Sequence, residues 1–484
     1  MALNSRVVII GGGITGLSAA YYLQEEAKVA GLPLEYTILE AADRWGGKVQ
    51  TEHIDHDEGA FVIESGPDSF ITQKPWGWQL ARELGLDSHV QPTNDKRRQI
   101  FVLTKGRPVP LPDGVMLIVP TRLKPFALSP LISPLGKLRM GLDLFIRPRL
   151  DNDDETLADF IRRRLGSEAL DKIAEPLLSG IYNAQAESQS IMATFPRFRD
   201  IESKHGSLIR GMLAARANGR PNRAGSIPDA PKPPSAFVSF RSGMSELIDR
   251  LSIELTGDCR LNTAVIALEQ TGDGYLIHLE NGEQLTAGHV ILTVPAYEAA
   301  RLVEKTAPVV AVELRDIRYV STGTVSLAYR RSEIGHPLNG FGIVIPRSEQ
   351  RDINAITWTS TKFDNRAPAN HALLRVFFGG SRTPHMMEID DSTLLATVRR
   401  ELEAIMGINA TPVFHRIYRW RDATPQYDVG HLDRVNAIEL NLPPRLYVTG
   451  SPYRGIGLPD CIHQAQQTAG KIIQDEIAFF RQPG

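Results

Sequence analysis

Apolar residues in this chain fall into short β-branched runs and into longer stretches at helical spacing. The run Val7–Ile10 predicts a buried strand, and Ser18–Leu23 predicts the helix after it. Apolar positions across 151–215 recur at helical intervals and predict a helical segment. Asn281 and Gly282 predict a turn within a hairpin pattern over 264–295. Further strands are predicted at Tyr36–Leu39, Val265–Leu268, Tyr275–Leu279, Val290–Pro295 and Leu446–Gly450, with a closing helix in the block 445–477.

Three glycines in GxGxxG spacing stand where the first predicted strand meets its helix. Gly11 permits the tight turn, Gly13 lets the backbone approach a pyrophosphate, and Gly16 lets the helix pack closely on the strand. Glu40 ends the second predicted strand, where this motif has an acceptor for a ribose hydroxyl. The spacing predicts a dinucleotide-binding fold, the alternative being a glycine turn of purely structural use.

A second glycine pair, Gly46 and Gly47, follows Glu40 within a few residues. It resembles the GG doublet of a large flavoenzyme superfamily, in which the longer body of FAD needs a second close approach of the backbone. The resemblance implies FAD rather than NAD. The alternative is an ordinary turn after a strand.

Composition narrows the classes of protein to consider. A chain of 484 residues predicts two or three domains. The 54 basic and 56 acidic residues give a net charge of -2, which argues against nucleic acid or an anionic membrane as the main partner. Cys259 and Cys461 match no metal-ligand spacing, so we expect a reducing compartment, no disulfide and no metal.

The apolar segments also bear on location. The first strand leaves no room for a cleavable signal before it, which favours the cytoplasm. The segment 114–146 is broken by prolines and carries Arg and Lys. We expect it to touch a membrane surface at most, or to roof a hydrophobic pocket, but not to cross a bilayer.

Three segments carry a family resemblance: Glu64–Phe70, Pro425–His431 and Gly455–Ile462. They resemble signatures of the protoporphyrinogen oxidase family, and the match runs nearly from end to end. Segment 101–126 is most similar to the soluble bacterial subgroup that oxidises coproporphyrinogen III. The resemblance implies an α/β fold, with an FAD-binding Rossmann-like domain of the GR2, amine-oxidase-like type, an inserted mixed-sheet substrate domain and a helical subdomain.

The resemblance and the patterns together predict an order of domains. Residues 1–88, 238–298 and 430–484 form the FAD-binding domain, and 89–112 and 299–429 form the substrate domain. Residues 113–215 form the helical subdomain, and 216–237 form a flexible linker rich in Pro, Arg and Lys.

The resemblance also implies which residues bind FAD. They are Gly11, Gly12, Gly13, Ile14, Thr15, Gly16, Glu40, Ala41, Lys48, Gly66, Pro67, Asp68, Ser69, Val265, Trp420, Ile456, Gly457 and Leu458. We assign no catalytic residue. His431 and Asp460 are polar candidates that we interpret as structural.

The implied reaction oxidises coproporphyrinogen III with molecular oxygen and yields hydrogen peroxide, with a downstream enzyme of haem biosynthesis as a possible partner. Alternatives are protoporphyrinogen IX oxidation, a flavin amine oxidase, a carotenoid desaturase and a non-enzymatic escort protein. Coproporphyrinogen has four propionates and protoporphyrinogen two, so we expect a site for the first to have a more positively charged entrance, or mouth. The residues that form such a mouth, or simply a solvated basic face, are Arg97, Arg98, Arg107, Arg122 and Lys124.

Overall fold

The computed structural model describes residues 6–112, 114–116, 118–120, 122–217, 233–272 and 274–480. Most of the predicted linker 216–237 and residues 113, 117 and 121 of segment 101–126 lie outside these ranges. The strands are β1 (Arg6–Ile10), β2 (Glu35–Leu39), β3 (Thr51–His56), β4 (Gly59–Glu64), β5 (Phe70–Ile71), β6 (Val90–Pro92), β7 (Ile100–Thr104), β8 (Arg107–Pro110), β9 (Val115–Met116), β10 (Val119–Pro120), β11 (Phe237–Phe240), β12 (Asp258–Arg260), β13 (Val265–Thr271), β14 (Gly274–Leu279), β15 (Gln284–Ala287), β16 (His289–Leu292), β17 (Tyr319–Arg330), β18 (Gly342–Val344), β19 (Ala355–Trp358), β20 (His371–Gly379), β21 (Phe414–Pro425) and β22 (Leu446–Val448).

The helices are α1 (Ile14–Ala30), α2 (Trp76–Glu83), α3 (Leu123–Leu128), α4 (Pro134–Gly141), α5 (Leu157–Arg164), α6 (Ser167–Ala169), α7 (Gly180–Tyr182), α8 (Ile191–Thr194), α9 (Pro196–His205), α10 (Leu208–Ala217), α11 (Ser245–Glu254), α12 (Ala296–Val303), α13 (Pro308–Arg315), α14 (Thr359–Lys362), α15 (Asp391–Met406), α16 (His431–Asn441) and α17 (Leu458–Phe480). Eight of the described helices, α3–α10, follow one another between β10 and β11, and the others lie singly or in pairs between strands or at the end of the chain. A π-helix, Leu170–Ser179, joins α6 to α7. Within the described ranges, no helix is long and apolar enough to cross a membrane.

A parallel five-stranded sheet, in the order β12-β2-β1-β16-β22, forms the first layer. β1 is its centre, with Val8 beside Thr37 on one strand and Val290 on the other. Val7 and Ile9 pack towards α1 and α17, while Val8 and Ile10 pack on the other face against β13–β15 and α12. Because both faces are covered, the central strand reads as a continuous apolar run.

The hairpin pattern over 264–295 is corrected in one respect. The turn at Asn281 and Gly282 leads from β14 into β15, a four-residue strand that the pattern analysis missed. The apolar run that follows is β16, which pairs in parallel with β1 and so belongs to the nucleotide sheet. The hairpin strands form a separate antiparallel sheet, β13-β14-β15.

A second large sheet has seven strands in the order β21-β17-β20-β19-β18-β7-β8. It is mixed, because β18 and β7 run parallel while its other pairs are antiparallel. The helices between residues 123 and 217 pack around a core of their own that includes Leu157, Ile161 and Ile173, which confirms the predicted helical segment. The domain boundaries themselves stay a prediction.

Candidate functional site

The first glycine motif shapes the turn between β1 and α1. Gly11 has φ +111°, and a Cβ there would approach the Thr293 hydroxyl at 2.6 Å. A Cβ at Gly16 would overlap the Gly11 carbonyl oxygen, whereas a Cβ at Gly13 would meet no atom within 4 Å. Gly13 is the N-cap of α1 and has no capping side chain. The amides of Ile14, Thr15 and Gly16 therefore begin a helix whose positive end faces open space.

The second glycine pair is bound to the first. The Glu40 carboxylate accepts hydrogen bonds from the amides of Gly12 (2.6 Å) and Ala42 (2.8 Å). Ala41, between Glu40 and Ala42, is exposed. The Gly46 amide donates to the Gly12 carbonyl at 2.8 Å. Each Glu40 oxygen keeps a lone pair for a further donor. The two loops consequently form one polar surface at the carboxyl ends of β1 and β2.

Lys48, just after the second glycine pair, and the segment after β4 connect the site to the seven-stranded sheet. A Cβ at Gly66 would overlap the Lys48 carbonyl oxygen, so only glycine allows these backbones to lie so close. The Lys48 ammonium donates to the carbonyl oxygen of Ala423, and the indole of Trp420 donates to that of Ser65 at 2.8 Å. Burial lowers the pKa of Lys48. Both bonds fix β21 against the nucleotide domain.

Asp68 lies in a buried cluster of opposite charges. It accepts from Ser69 at 2.7 Å and from the Lys362 ammonium at 2.8 Å. Arg375 donates to the carbonyl of Gly66 at 2.6 Å, one residue before Pro67. Burial alone would raise the pKa of Asp68, but Lys362 and Arg375 outweigh it and hold that pKa well below its ordinary range. Asp68 is therefore a carboxylate at neutral pH.

The last glycine turn precedes α17 and rests on an aromatic pair. The Tyr427 hydroxyl accepts from the Gly455 amide at 2.8 Å and donates to the Ser451 carbonyl at 2.7 Å. The His431 ring stacks on Tyr427, with centroids 4.0 Å apart, and its Nε2 donates to the Tyr453 carbonyl at 2.8 Å. Burial lowers the pKa of His431 to about 4, so the ring is neutral at pH 7. His431 is positioned to support the turn, as interpreted from the sequence.

The two helix starts lie side by side. A Cβ at Gly450 would come within 2.9 Å of the Thr15 hydroxyl on α1. Thr15 also bonds the Cys461 thiol on α17, and burial raises the pKa of that thiol to about 12. Ile456 packs beside Tyr182 and Tyr427, and Leu458 packs in the core that contains α1. The other polar candidate, Asp460, pairs with Lys74 at 2.6 Å next to Gly457.

Two sets of predicted residues lie further out. Val265 has its side chain in the core, and its carbonyl accepts from Arg301 at 3.0 Å. Arg97 and Arg98 are exposed on a turn that begins at Asn94, whose amide donates to the Lys362 carbonyl at 2.9 Å. Arg107 is the first residue of β8 and pairs with Thr104 at the far end of β7. The rise of that five-residue strand separates Arg107 from Arg97 and Arg98 by roughly 15 Å. The five predicted cations therefore do not form one group.

Lys362, Arg375 and Tyr427 are the contributors that residue-by-residue reasoning missed. Lys362 is separated from Asp68 by 294 positions, and nothing in local spacing connects them. Tyr427 lies in the segment Pro425–His431 that carries the family resemblance, but nothing in the sequence indicates a role for its hydroxyl.

These features fit a flavin dinucleotide. The α1 helix begins without a capping side chain at Gly13, where a Cβ would meet no atom within 4 Å. A carboxylate stands at the end of β2, and a second helix start lies beside the first. A parallel sheet bearing this site, joined to a mixed sheet, defines a flavin-dependent oxidoreductase.

Comparison with known proteins also indicates a flavin-dependent oxidoreductase. The sequence model of the family described as "Flavin containing amine oxidoreductase" matches residues 14–473. The chain belongs to this family, its cofactor is FAD, and the predicted amine-oxidase-like fold class is confirmed.

Individual relatives narrow the position within the family. The chain is 36% identical to the coproporphyrinogen III oxidase of Bacillus subtilis (strain 168), over 96% of this chain and 97% of that one. It is 29% identical to the chloroplastic protoporphyrinogen oxidase of Nicotiana tabacum, over 96% and 85%. A crystal structure of a protein from Exiguobacterium sp. 255-15 superposes with a TM-score of 0.84 at 33% identity, over 97% and 99%.

Proposed function

We propose that this chain oxidises coproporphyrinogen III to coproporphyrin III in haem biosynthesis, with molecular oxygen as the acceptor. The observation that carries the proposal is similarity over almost the whole chain to the coproporphyrinogen III oxidase of Bacillus subtilis, at 36% identity, against 29% to the protoporphyrinogen oxidase of Nicotiana tabacum. The product would pass to a downstream enzyme of the same pathway, and we propose a cytoplasmic location.

The reaction removes six hydrogens from the macrocycle. In each of three rounds a bridging carbon loses a hydride and the macrocycle loses a proton. The proton leaves a pyrrole nitrogen in two rounds and the remaining methylene carbon in the third, so four C–H and two N–H bonds are broken in all. When bound, FAD supplies a two-electron acceptor that oxygen reoxidises to give hydrogen peroxide. One porphyrinogen and three O₂ thus give one porphyrin and three H₂O₂.

The binding of FAD is assigned to the loops described above. The amides at the start of α1 would hold the pyrophosphate, and Glu40 with Ala41 the adenosine ribose. Val265 would present its backbone to the adenine, while Lys48, Trp420 and the segment Gly66–Ser69 would line the flavin. Ile456, Gly457 and Leu458 would lie at its pyrimidine edge, where the start of α17 favours negative charge.

The chain's own groups mainly position the reactants. The ion pairs of Asp68 with Lys362 and of Lys74 with Asp460 fix the two segments that meet at the flavin edge. We propose that Arg97 and Arg98 meet propionates at the mouth. They lie on the turn whose Asn94 amide donates to the Lys362 carbonyl.

An amine oxidase is the alternative within the same fold. Its aromatic residues face the flavin, and the sequence offers Tyr453 for that place. In this structure Tyr453 is buried in the core beside Val435 and Ile438, where it packs rather than lining an opening. That packing favours the porphyrinogen substrate.

Parallel turnover assays test the proposal. The FAD-loaded protein is given coproporphyrinogen III, protoporphyrinogen IX or a primary amine, and porphyrin fluorescence and peroxide are measured. We expect the highest kcat/KM for coproporphyrinogen III, with about three peroxides per macrocycle. A higher kcat/KM for protoporphyrinogen IX would reassign the substrate, and turnover of the amine alone would refute the proposal.

A further inference from the structure

A cavity of about 320 Å³ lies at the edge of the parallel sheet opposite the glycine loops, and we call it the α17 cavity. His289 begins β16 and Leu446 begins β22, and both residues line it. Since the strands of this sheet are parallel, these amino ends lie at the other edge from the carboxyl ends that carry Gly11 and Glu40. Small-molecule sites have volumes of roughly 300–1,000 Å³. The α17 cavity is therefore large enough for a ligand and separate from the FAD site.

The floor of the α17 cavity is a buried pair of side chains. His289 and Glu476, near the end of α17, are 1% and 3% exposed, and His289 Nε2 lies 3.0 Å from Glu476 Oε1. Burial lowers the pKa of His289, so its ring is neutral at pH 7 and donates its one N–H to Glu476. The other carboxylate oxygen, Oε2, is buried and has no hydrogen-bond partner in the described part of the chain. Because a buried unpaired carboxylate oxygen is costly, the floor favours a ligand that donates to it.

Tyr447 leaves a second acceptor beside the first. Its hydroxyl lies 3.0 Å from Asp475 Oδ2 and 3.4 Å from His289 Nδ1. A phenol has one hydrogen, and the shorter, charge-assisted bond to Asp475 takes it. His289 Nδ1 and Glu476 Oε2 thus both remain able to accept. A ligand group with a positive charge and several N–H donors, such as a primary ammonium, suits this floor.

The rim of the α17 cavity carries two cations. Lys471 is exposed, and its ammonium lies over the Tyr447 ring, 5.4 Å from the ring centroid. Arg445 also lines the cavity and has φ +64°, a backbone conformation that non-glycine residues rarely adopt and that is concentrated at binding sites. The rim carboxylate of Glu439 is paired with Arg454 at 2.6 Å. The rim consequently suits an anionic group on the same ligand.

We propose that the α17 cavity binds a free amino acid, with its ammonium on Glu476 and His289 and its carboxylate on Lys471. Leu442 and Pro443 also line the cavity and contact an apolar side chain of the ligand. The site shares no residue with the loops that we assign to FAD. The inference is therefore independent of the proposed substrate.

Calorimetric titration of the FAD-loaded protein tests the site. The probe is L-leucine, compared with 3-methylbutylamine, which lacks the carboxylate, and with 4-methylpentanoate, which lacks the ammonium. The test variants are Lys471→Ala and Glu476→Gln, which keeps an acceptor for His289 but replaces the unpaired oxygen with an amide. Lys204→Ala, which removes an exposed lysine from α9, is the matched control. Melting temperatures show which variants are folded, and flavin absorbance is followed throughout.

We expect L-leucine to bind, 3-methylbutylamine to bind more weakly and 4-methylpentanoate not to bind. Glu476→Gln should raise the Kd for L-leucine at least tenfold, because a charge-assisted hydrogen bond is lost. Lys471→Ala should raise the Kd for L-leucine and leave that for 3-methylbutylamine unchanged, while Lys204→Ala should change neither. If Glu476→Gln does not fold, the comparison at Lys471 decides the test alone.

Absence of L-leucine binding, or binding that Lys471→Ala or a folded Glu476→Gln leaves unchanged, would overturn the proposal. Equal binding of 4-methylpentanoate would show that the ammonium is not recognised and would overturn it as well. Bleaching of the flavin by L-leucine or by the amine would place the probe at the FAD site, with the same consequence.

Discussion

Replacing Gly13 separates cofactor binding from folding. A Cβ at Gly13 meets no protein atom within 4 Å, so Gly13→Val should fold. Its side chain would occupy the space before the amides of α1 that we assign to the pyrophosphate. Loss of one or two charge-assisted hydrogen bonds, each worth about 1.5–3 kcal/mol, predicts a rise of roughly 100-fold in the Kd for FAD. Valine at an N-cap costs about 1 kcal/mol, which lowers Tm by only a few degrees.

The assay is titration of apoprotein with FAD, followed by calorimetry, together with thermal unfolding of the apoprotein. Gly335→Val is the matched control, because its Cβ also meets no atom within 4 Å but lies outside the site. Gly16→Ala should instead fail to fold, since its Cβ would overlap the Gly11 carbonyl. A Kd for the Gly13 variant within about threefold of the wild type would refute the assignment of the pyrophosphate.

Three further predictions concern charge. The pKa of His431 is lowered from 6.5 to about 4, so its contribution to the free energy of unfolding, about 3 kcal/mol, is present above pH 6.5 and is lost as pH falls towards 4. In urea titrations at several pH values, His431→Gln should make the free energy of unfolding fall less steeply with pH. Parallel pH profiles for the variant and the wild type would contradict the reasoning. Arg97→Glu/Arg98→Glu should lower kcat/KM for coproporphyrinogen more than for protoporphyrinogen, while the distant Arg107→Glu should change neither value by much. Equal effects of the double variant and of Arg107→Glu would indicate that Arg97 and Arg98 belong to a solvated face. The buried Glu202 carboxylate pairs with Arg163, Arg164 and Arg199. Glu202→Gln should therefore cost the helical subdomain about 3–5 kcal/mol in denaturation, against under about 0.5 kcal/mol for the exposed Glu187→Gln; a small cost at Glu202 would contradict the importance of these buried ion pairs.

Local patterns predicted the nucleotide sheet well. The strand β1, the glycine turn and α1 are continuous in sequence, and the spacing identifies Gly11 and Gly16 as positions where a side chain would not fit. The short strand β15 was missed because four residues carry too little periodicity, and β16 was attached to the hairpin although its partner, β1, lies some 280 positions earlier.

Long-range contacts account for the remaining differences between the site predicted from the sequence and the site in the structure. The ion pair of Asp68 with Lys362 depends on how the two sheets meet, so no local spacing predicts it. Conversely, Arg107 was grouped with Arg97 and Arg98 because they are close in sequence, but the length of β7 separates them, since Arg107 pairs with Thr104 at the other end of that strand. Proximity along an extended strand is a poor guide to proximity at a site.

The most direct test of the account is anaerobic mixing of the FAD-loaded protein with coproporphyrinogen III. We predict that the absorbance of the oxidised flavin bleaches in a single turnover, and that admitting oxygen restores it with release of hydrogen peroxide. Flavin that stays oxidised with coproporphyrinogen III, yet bleaches with a primary amine, would contradict the proposed function.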